Sequence, residues 1–461
     1  MRYLAAASLF FVLFGCASGL KQSEFHATHA PQRGKHGTVL LFLVDGLAVR
    51  TLRTGLDSGA TPNLGRFFLR GKRNFALGQA AFPTQTYPNI SSILTARPVG
   101  DQPVLANHVL SPSGKILAYE NVSFFPQLRA TIDPLSVIGT LNRDGRETAS
   151  FSYVFGLNAT DHMLVGVREG LEYEQHHYRS LDARLLENLE KFLAERGSPG
   201  NWPDFIYVHL VGVDGTSHRY GPDSPETRAY LAWLDARLGP VLARLERAEK
   251  KPGADIVTLL TADHGFVSTR RYVPVAKLVR KADLGTVILN EGRFLALHLP
   301  EGRGPRELAP VLREARAVRG VGFTALRDGN LLEIARGRNL YRFALGPPLC
   351  DGASLSLALL PPGANALPAG SFRCPSDFDE LRSANPFLVD GIARYLTAPN
   401  HPDALILAET SVSFSPGMAG NHGGASAEES LVPVLLRNAE LRGGAPVRTS
   451  DLLKLVVPTG L

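Results

Sequence analysis

Three apolar runs in this chain each end on a carboxylate, and that repetition constrains the fold more than any other feature. Residues 38–44 run into Asp45, residues 205–213 into Asp214, and residues 256–262 into Asp263 and His264. Short apolar runs of this kind suit strands buried on both faces, as in a parallel sheet. Ligands of open α/β sheets collect at the carboxyl ends of the strands. Three strands aligned in this way would therefore pool Asp45, Asp214 with the nearby His218, and Asp263 with His264 at one edge. Carboxylates and imidazoles together are donors for hard and borderline metal ions. Far downstream, Gly420-Asn421-His422-Gly423-Gly424 offers one more imidazole on a glycine loop.

The rest of the chain fits that reading. Helical patterns at 181–196 and 226–249 alternate with the apolar runs. This predicts an α/β fold with a doubly wound, mostly parallel sheet and helices on both faces. Gly239-Pro240 is expected to break or kink the second helix. With 461 residues and 44% hydrophobic content, the chain has material for a large core and an insertion. Between 268 and 402 the pattern changes to short strands at 286–289 and 294–299, one helix starting near Pro305, and glycine- and proline-rich connections. We read 37–267 as the first part of a core, 268–402 as an inserted smaller cap, and 403–461 as the second part of the core, with a strand at 431–436 and a helix at 450–456. The net charge of +6 is spread over the chain, with no basic block beyond pairs such as Lys250-Lys251 and Arg270-Arg271. That pattern offers no nucleic-acid footprint.

The N-terminus reads as an export signal. Met1-Arg2 precedes an apolar run over residues 4–14, which is too short to span a bilayer and suits a secretory signal. It closes on Leu13-Phe14-Gly15-Cys16, which resembles a bacterial lipobox. On that reading residues 1–15 are a signal peptide, Cys16 is lipidated, and 16–36 form a tether. The protein would then be a membrane-anchored lipoprotein, and Ala17 after the cysteine resembles outer-membrane sorting. The alternative is an ordinary signal peptide cleaved after Ala17 or Gly19. Cys350 and Cys374 remain as a pair that an oxidising compartment would favour as a disulfide, with two buried thiols as the alternative.

A further segment carries chemistry. In Phe82-Pro83-Thr84-Gln85-Thr86-Tyr87-Pro88-Asn89, Thr86 stands where a helix N-cap belongs and Pro88 fits the first turn. Backbone N–H groups and the helix dipole would then face the Thr86 hydroxyl and any anion bound there. Taken alone, the pattern equally describes a threonine that only caps a helix.

The motifs together resemble the alkaline phosphatase superfamily, and within it the nucleotide pyrophosphatase/phosphodiesterase branch. Val44-Asp45-Gly46 is similar to the first metal aspartate of that branch. The 82–89 segment is similar to its nucleophile motif, with Thr86 at the nucleophile position. Asp214 and His218, with the trailing Gly221-Pro222, resemble its next ligands, followed by Asp263-His264-Gly265 and by His422. The resemblance implies an exported hydrolase of phosphodiester or pyrophosphate bonds with two zinc ions. Asp214, His218 and His422 would hold one ion, and Asp45, Asp263, His264 and the Thr86 oxygen the other. It also implies a phospho-threonine intermediate on Thr86 and a small phosphate-ester substrate. Asn107 lies where the branch places an asparagine that donates to a phosphoryl oxygen, although Asp101-Gln102-Pro103 replaces the usual approach to it; a turn asparagine is the alternative. Tyr87 lies where the branch has an aromatic ring against the leaving group, with core packing as the alternative. His209, inside a predicted strand, and His176-His177, in a polar stretch, are read as structural or solvated. A phosphomonoesterase on the same site is the competing enzymatic reading, and a catalytically inactive binding lipoprotein is the non-enzymatic one. The 82–89 segment offers no Cys-x-Pro-x-Arg-like setting of the sulfatase kind, which argues against that branch.

Overall fold

In a computed structural model the described residues are 25–27, 37–70, 75–121, 130–163, 167–347, 356–360, 388–440 and 446–457. Cys16, Cys350 and Cys374 lie outside them. Among the described residues no helix is long and apolar enough to cross a membrane.

The main sheet has nine strands among the described residues. Its centre is parallel: Thr148–Phe151, Phe205–Leu210, Thr38–Val44 and Ile256–Thr261 lie side by side. Leu431–Arg437 then joins antiparallel to Ile256–Thr261, with Phe75–Gln79 beyond it. The alternation of side chains along a strand explains the two covered faces. Leu40, Phe42 and Val44 enter one hydrophobic cluster with the helices Tyr178–Arg196 and Pro225–Glu249. Val39, Leu41 and Leu43 enter another, with the helices Thr86–Thr95 and Val137–Arg143.

A second sheet, of seven strands among the described residues, is antiparallel throughout. It too is covered on both faces: Phe294 and Ala296 pack with the helix Leu388–Thr397, and Leu295 and Leu297 with Val275–Lys281 and Ala309–Ala317. Phe82 of the nucleophile-like segment joins the first of these clusters, 5.6 Å from Phe294 and 5.7 Å from Tyr395 between ring centroids.

Several expectations shift. The strand Ala404–Ala408 lies in the middle of the seven-stranded sheet, between Phe294–His298 and Val321–Asp328, so the cap runs past residue 402. The chain returns to the core at Gly420–Asn421, which pairs with Val267–Ser268. Within 16–36, Phe25–Ala27 forms an edge strand against Asp161–Met163, so this stretch is not all tether. The helix Pro225–Glu249 continues through Gly239-Pro240, because Leu234, Leu238, Val241 and Leu242 hold both halves in one core and outweigh one missing N–H. The strand predicted at 205–213 stops at Leu210, and Asp214 stands in the first turn of the helix Gly212–Tyr220. Asp182 explains that early turn: its carboxylate accepts the N–H of Val211 at 2.9 Å and of Gly212 at 3.2 Å, capping the helix from below.

Candidate active site

The predicted residues meet at the carboxyl edge of the main sheet in two adjoining groups. Asp45, Asp263 and His264 form one, and Asp214, His218 and His422 the other; within each, one candidate ligand atom per residue lies within 4.8 Å of the others. Asp45 and Asp263 follow neighbouring parallel strands, which fixes their separation through the sheet ladder. The Gly46 N–H donates to Asp263 Oδ1 at 3.1 Å. Gly46 has φ +65, and an added Cβ there would lie 2.6 Å from the Phe266 ring, so this turn requires glycine. Asp214 and His218 are four residues apart on one helix and so share a face.

The three imidazoles of these groups are oriented alike. His218 Nδ1 faces Gly420 O at 3.2 Å, His264 Nδ1 faces Gly265 O at 3.1 Å, and His422 Nδ1 faces Thr84 O at 2.9 Å. A carbonyl oxygen only accepts, so Nδ1 carries the proton in each ring and Nε2 presents its lone pair to the group. His218 Nε2 and His422 Nε2 are 3.1 Å apart, and both approach Asp214 Oδ1, at 3.6 and 3.5 Å. In the other group His264 Nε2 lies 3.2 Å from Asp263 Oδ2 and 3.5 Å from Asp45 Oδ1. The groups abut where the His264 and His422 rings stack at 3.6 Å.

The electrostatics are those of a site built for cations. Asp45 Oδ1, Asp214 Oδ1 and Asp263 Oδ2 are buried and accept no hydrogen bond. Burial, aided by the charges of Asp263 and Asp214, raises the Asp45 carboxyl well above its ordinary range. Burial also raises Asp214 and lifts Asp263 to about 7. The histidines move the other way: burial lowers His264 to about 4 and, with the neighbouring imidazoles, holds His422 well below its ordinary value. Neutral imidazoles facing carboxylate oxygens that lack partners are what a bound cation resolves.

Thr86 adjoins the Asp45 group through His264. It is the first residue of the helix Thr86–Thr95, with Gln85 at the N-cap position rather than Thr86 itself. Its Oγ1 lies 3.1 Å from His264 Nε2. The turn before it is held by Asn89, whose Oδ1 accepts the Ala81 N–H at 2.7 Å and whose Nδ2 donates to Pro83 O and Gln85 O at 2.9 Å each. Asn107 meets the helix start: its Oδ1 accepts the Tyr87 N–H at 3.2 Å, so that N–H serves Asn107 instead of an anion. Tyr87 itself is only 8% exposed and packs between Tyr119 and Phe155, at 6.2 and 5.8 Å between centroids. Its ring belongs to the core cluster beneath the sheet, which is the packing alternative to a ring against the leaving group.

The residues that brace this site carry no motif of their own. His209, structural or solvated by its sequence setting, places its Nε2 3.0 Å from Asp45 Oδ2. A lone polar residue in the apolar strand Phe205–Leu210 was the available signal. Residues 290–293 of the cap clamp the site twice. Glu291 accepts from Gln85 Nε2 at 2.6 Å and meets His108 Nδ1 at 3.1 Å, while Gln85 Oε1 accepts the Asn107 N–H at 3.1 Å. Arg293 donates to Glu429 at 2.8 and 3.0 Å, and Glu429 accepts from Gly424 N at 2.8 Å and Ser426 Oγ at 2.6 Å, fixing the loop that carries His422. His176, for its part, meets the Tyr178 hydroxyl at 2.8 Å.

An α/β sheet of alkaline-phosphatase type with two carboxylate and imidazole groups at its carboxyl edge defines the class. Residues 39–332 match the type I phosphodiesterase/nucleotide pyrophosphatase family, and the chain belongs to it. Among curated relatives it is similar to ectonucleotide pyrophosphatase/phosphodiesterase family member 7 of Homo sapiens, 24% identical over 237 residues, 51% of this chain and 49% of that protein. The chain thus spans about half the length of that relative. The fold is shared with phosphonoacetate hydrolase from Sinorhizobium meliloti in complex with phosphonoacetate, at 15% identity and TM-score 0.58 over 94% of this chain and 98% of that one. It is also shared with an inactive threonine-to-alanine variant of murine ectonucleotide pyrophosphatase/phosphodiesterase 5 in complex with AMP, at 15% identity and TM-score 0.57 over 92% and 96%.

Proposed function

We propose that the chain is a two-zinc hydrolase of phosphodiester or pyrophosphate bonds that works through a phospho-threonine on Thr86. The observation that carries this reading is the convergence of one threonine hydroxyl, three carboxylates with buried unpartnered oxygens, and three imidazoles that turn Nε2 inward. Hydrogen bonds among these groups leave the carboxylate oxygens unsatisfied, so the donor set fits metal ions. Asp45, Asp263 and His264 with the Thr86 oxygen would hold one, and Asp214, His218 and His422 the other. When bound, zinc supplies a lowered pKa for a coordinated hydroxyl and charge neutralisation at phosphoryl oxygens.

The chain's own residues do the rest. Thr86 Oγ1 gives up its proton to solvent and forms a bond to phosphorus as the bond to the leaving oxygen breaks, the electron pair of that bond departing with the leaving oxygen. The oxygen of a water then bonds to phosphorus as the Thr86 ester bond breaks, and a proton from that water restores the hydroxyl. With Asn107 Oδ1 taken by the Tyr87 N–H, the Asn107 Nδ2 group is left to donate to a non-bridging phosphoryl oxygen. A neutral donor suits the single negative charge of a diester better than the dianion of a monoester. Arg293, the cap cation behind His422, is engaged with Glu429 and the carbonyl of Glu409. The AMP complex of the murine neighbour supports a nucleotide-like substrate. The test compares kcat/KM for a nitrophenyl phosphodiester and nitrophenyl phosphate at equal zinc loading. A preference for the diester is expected, and a preference for the monoester would make the chain a phosphatase instead.

We also propose export and lipid anchoring through Cys16, supported by the Leu13-Phe14-Gly15-Cys16 segment. Cys16→Ser should move the protein out of the detergent phase, and unchanged partitioning would refute the anchor.

A further inference from the structure

We infer that His209 is a positioning residue for the Asp45 metal site, holding one oxygen of Asp45 so that the other is presented to the ion. The inference rests on the two-metal reading and goes beyond it, because His209 lies outside both donor groups.

The backbone leaves His209 little choice of neighbour. Its strand runs parallel to Thr38–Val44 with Leu43 opposite His209 and Val44 opposite Leu210, and the Asp45 N–H continues the ladder to Leu210 O at 2.9 Å. The His209 side chain is buried, with Nε2 3.0 Å from Asp45 Oδ2. Among the described residues its Nδ1 has no hydrogen-bond partner, and the Tyr207 ring stacks near it at 6.3 Å and 12°. A polar ring placed in the strand Phe205–Leu210 costs desolvation that, among the described residues, one hydrogen-bonding contact offsets. That contact is with Asp45.

A carboxylate oxygen accepts hydrogen bonds, so the ring nitrogen that faces it carries a proton. That nitrogen is Nε2, which donates to Asp45 Oδ2. The two oxygens of Asp45 then have separate tasks. Oδ2 is held by His209, and Oδ1, which accepts no hydrogen bond, faces His264 Nε2 at 3.5 Å. This favours a single-oxygen contact with the ion and removes the freedom of the carboxylate to rotate. Outer partners of this kind are worth roughly 10- to 100-fold in metal affinity.

The test is a zinc competition titration against a chelator, with the absorption spectrum of the cobalt(II)-substituted protein as a second readout, on wild type, His209→Leu and His209→Gln. Leucine fills the space without a donor, and glutamine returns an N–H at about the reach of Nε2. The wild type should bind two ions. His209→Leu should weaken the Asp45 site by about 10- to 100-fold and alter its cobalt spectrum, leaving the Asp214 site within about 2-fold. His209→Gln should recover most of the loss. If leucine is not tolerated, His209→Asn, which keeps a buried amide but withdraws it from Asp45, should show the same selective weakening. Unchanged affinity in the leucine or asparagine variant, or a glutamine variant as weak as leucine, would overturn the positioning role alone. A wild type that binds no metal at Asp45, Asp263 and His264 would overturn the two-metal reading and this inference with it.

Discussion

Asp45 and Asp263 stand at the ends of neighbouring parallel strands, whereas Asp214 and His218 ride on one helix and His422 arrives on a loop from far along the chain. The first group is therefore set by the sheet ladder. The second depends on contacts that cross from the cap: Arg293 holds Glu429, and Glu429 holds the backbone of Gly424 beside His422. Thr84 completes that link, accepting the His422 ring N–H on its carbonyl and donating its hydroxyl to Gly424 O at 2.8 Å. The carboxylates of one half are thus anchored on the core sheet. The other half is assembled from core and cap together.

The largest effect should fall on the sheet-anchored half. Thr86→Ala removes the proposed nucleophile from beside His264 but leaves Asp45, Asp263 and His264 in place. Turnover of a nitrophenyl diester should fall by roughly four to six powers of ten with zinc content retained. Activity near wild type would show that another group attacks. Next comes Asn107→Ala, which removes a donor at the helix start. A slowing of diester cleavage by about two to three powers of ten is expected, seen in kcat more than KM. An unchanged kcat would reduce Asn107 to a turn residue.

The assembled half responds to its clamp. Arg293→Met leaves Glu429 charged and without its buried partner. Chemical denaturation should show a loss of about 3–5 kcal/mol, and zinc should weaken at the Asp214 group before the Asp45 group. Equal weakening at both would erase the distinction drawn between them. The smallest effect is a pH dependence. Burial opposes a charge on His108, but hydrogen bonds to Glu120 and Glu291 outweigh it and raise the imidazole to about 10. A raised value means stability present in full below the ordinary 6.5 and lost as pH rises through about 10. Glu291→Gln removes one of the two partners, so its deficit in melting temperature relative to wild type should shrink between those limits. A deficit independent of pH would show that only the bond from Gln85 matters.

The two halves also differed in how legible they were. Apolar runs ending on Asp45 and Asp263 could be read directly, because a strand buried on both faces writes its whole length in one class of residue. Asp214 is legible as a candidate ligand but its place in a helix turn is not, since the turn at Val211 is imposed by Asp182 from another helix and leaves no local mark. The boundary at 402 failed for a similar reason: Ala404–Ala408 is as apolar as any core strand, and only its pairing with Phe294–His298 assigns it to the cap. Tyr87 could be located but not oriented, because side-chain direction at a helix start is decided by the cluster beneath it. The clamp at 290–293 was invisible, being made wholly of contacts between segments more than a hundred residues apart.

Two separate metal pockets beside a threonine nucleophile are proposed for one chain. Crystals of the zinc-loaded protein, measured for anomalous scattering at the zinc absorption edge, test this most directly. Two peaks per chain are predicted, one in ligand contact with Asp45, Asp263, His264 and the Thr86 oxygen, the other with Asp214, His218 and His422. A single peak, or a second peak away from these residues, would contradict the account.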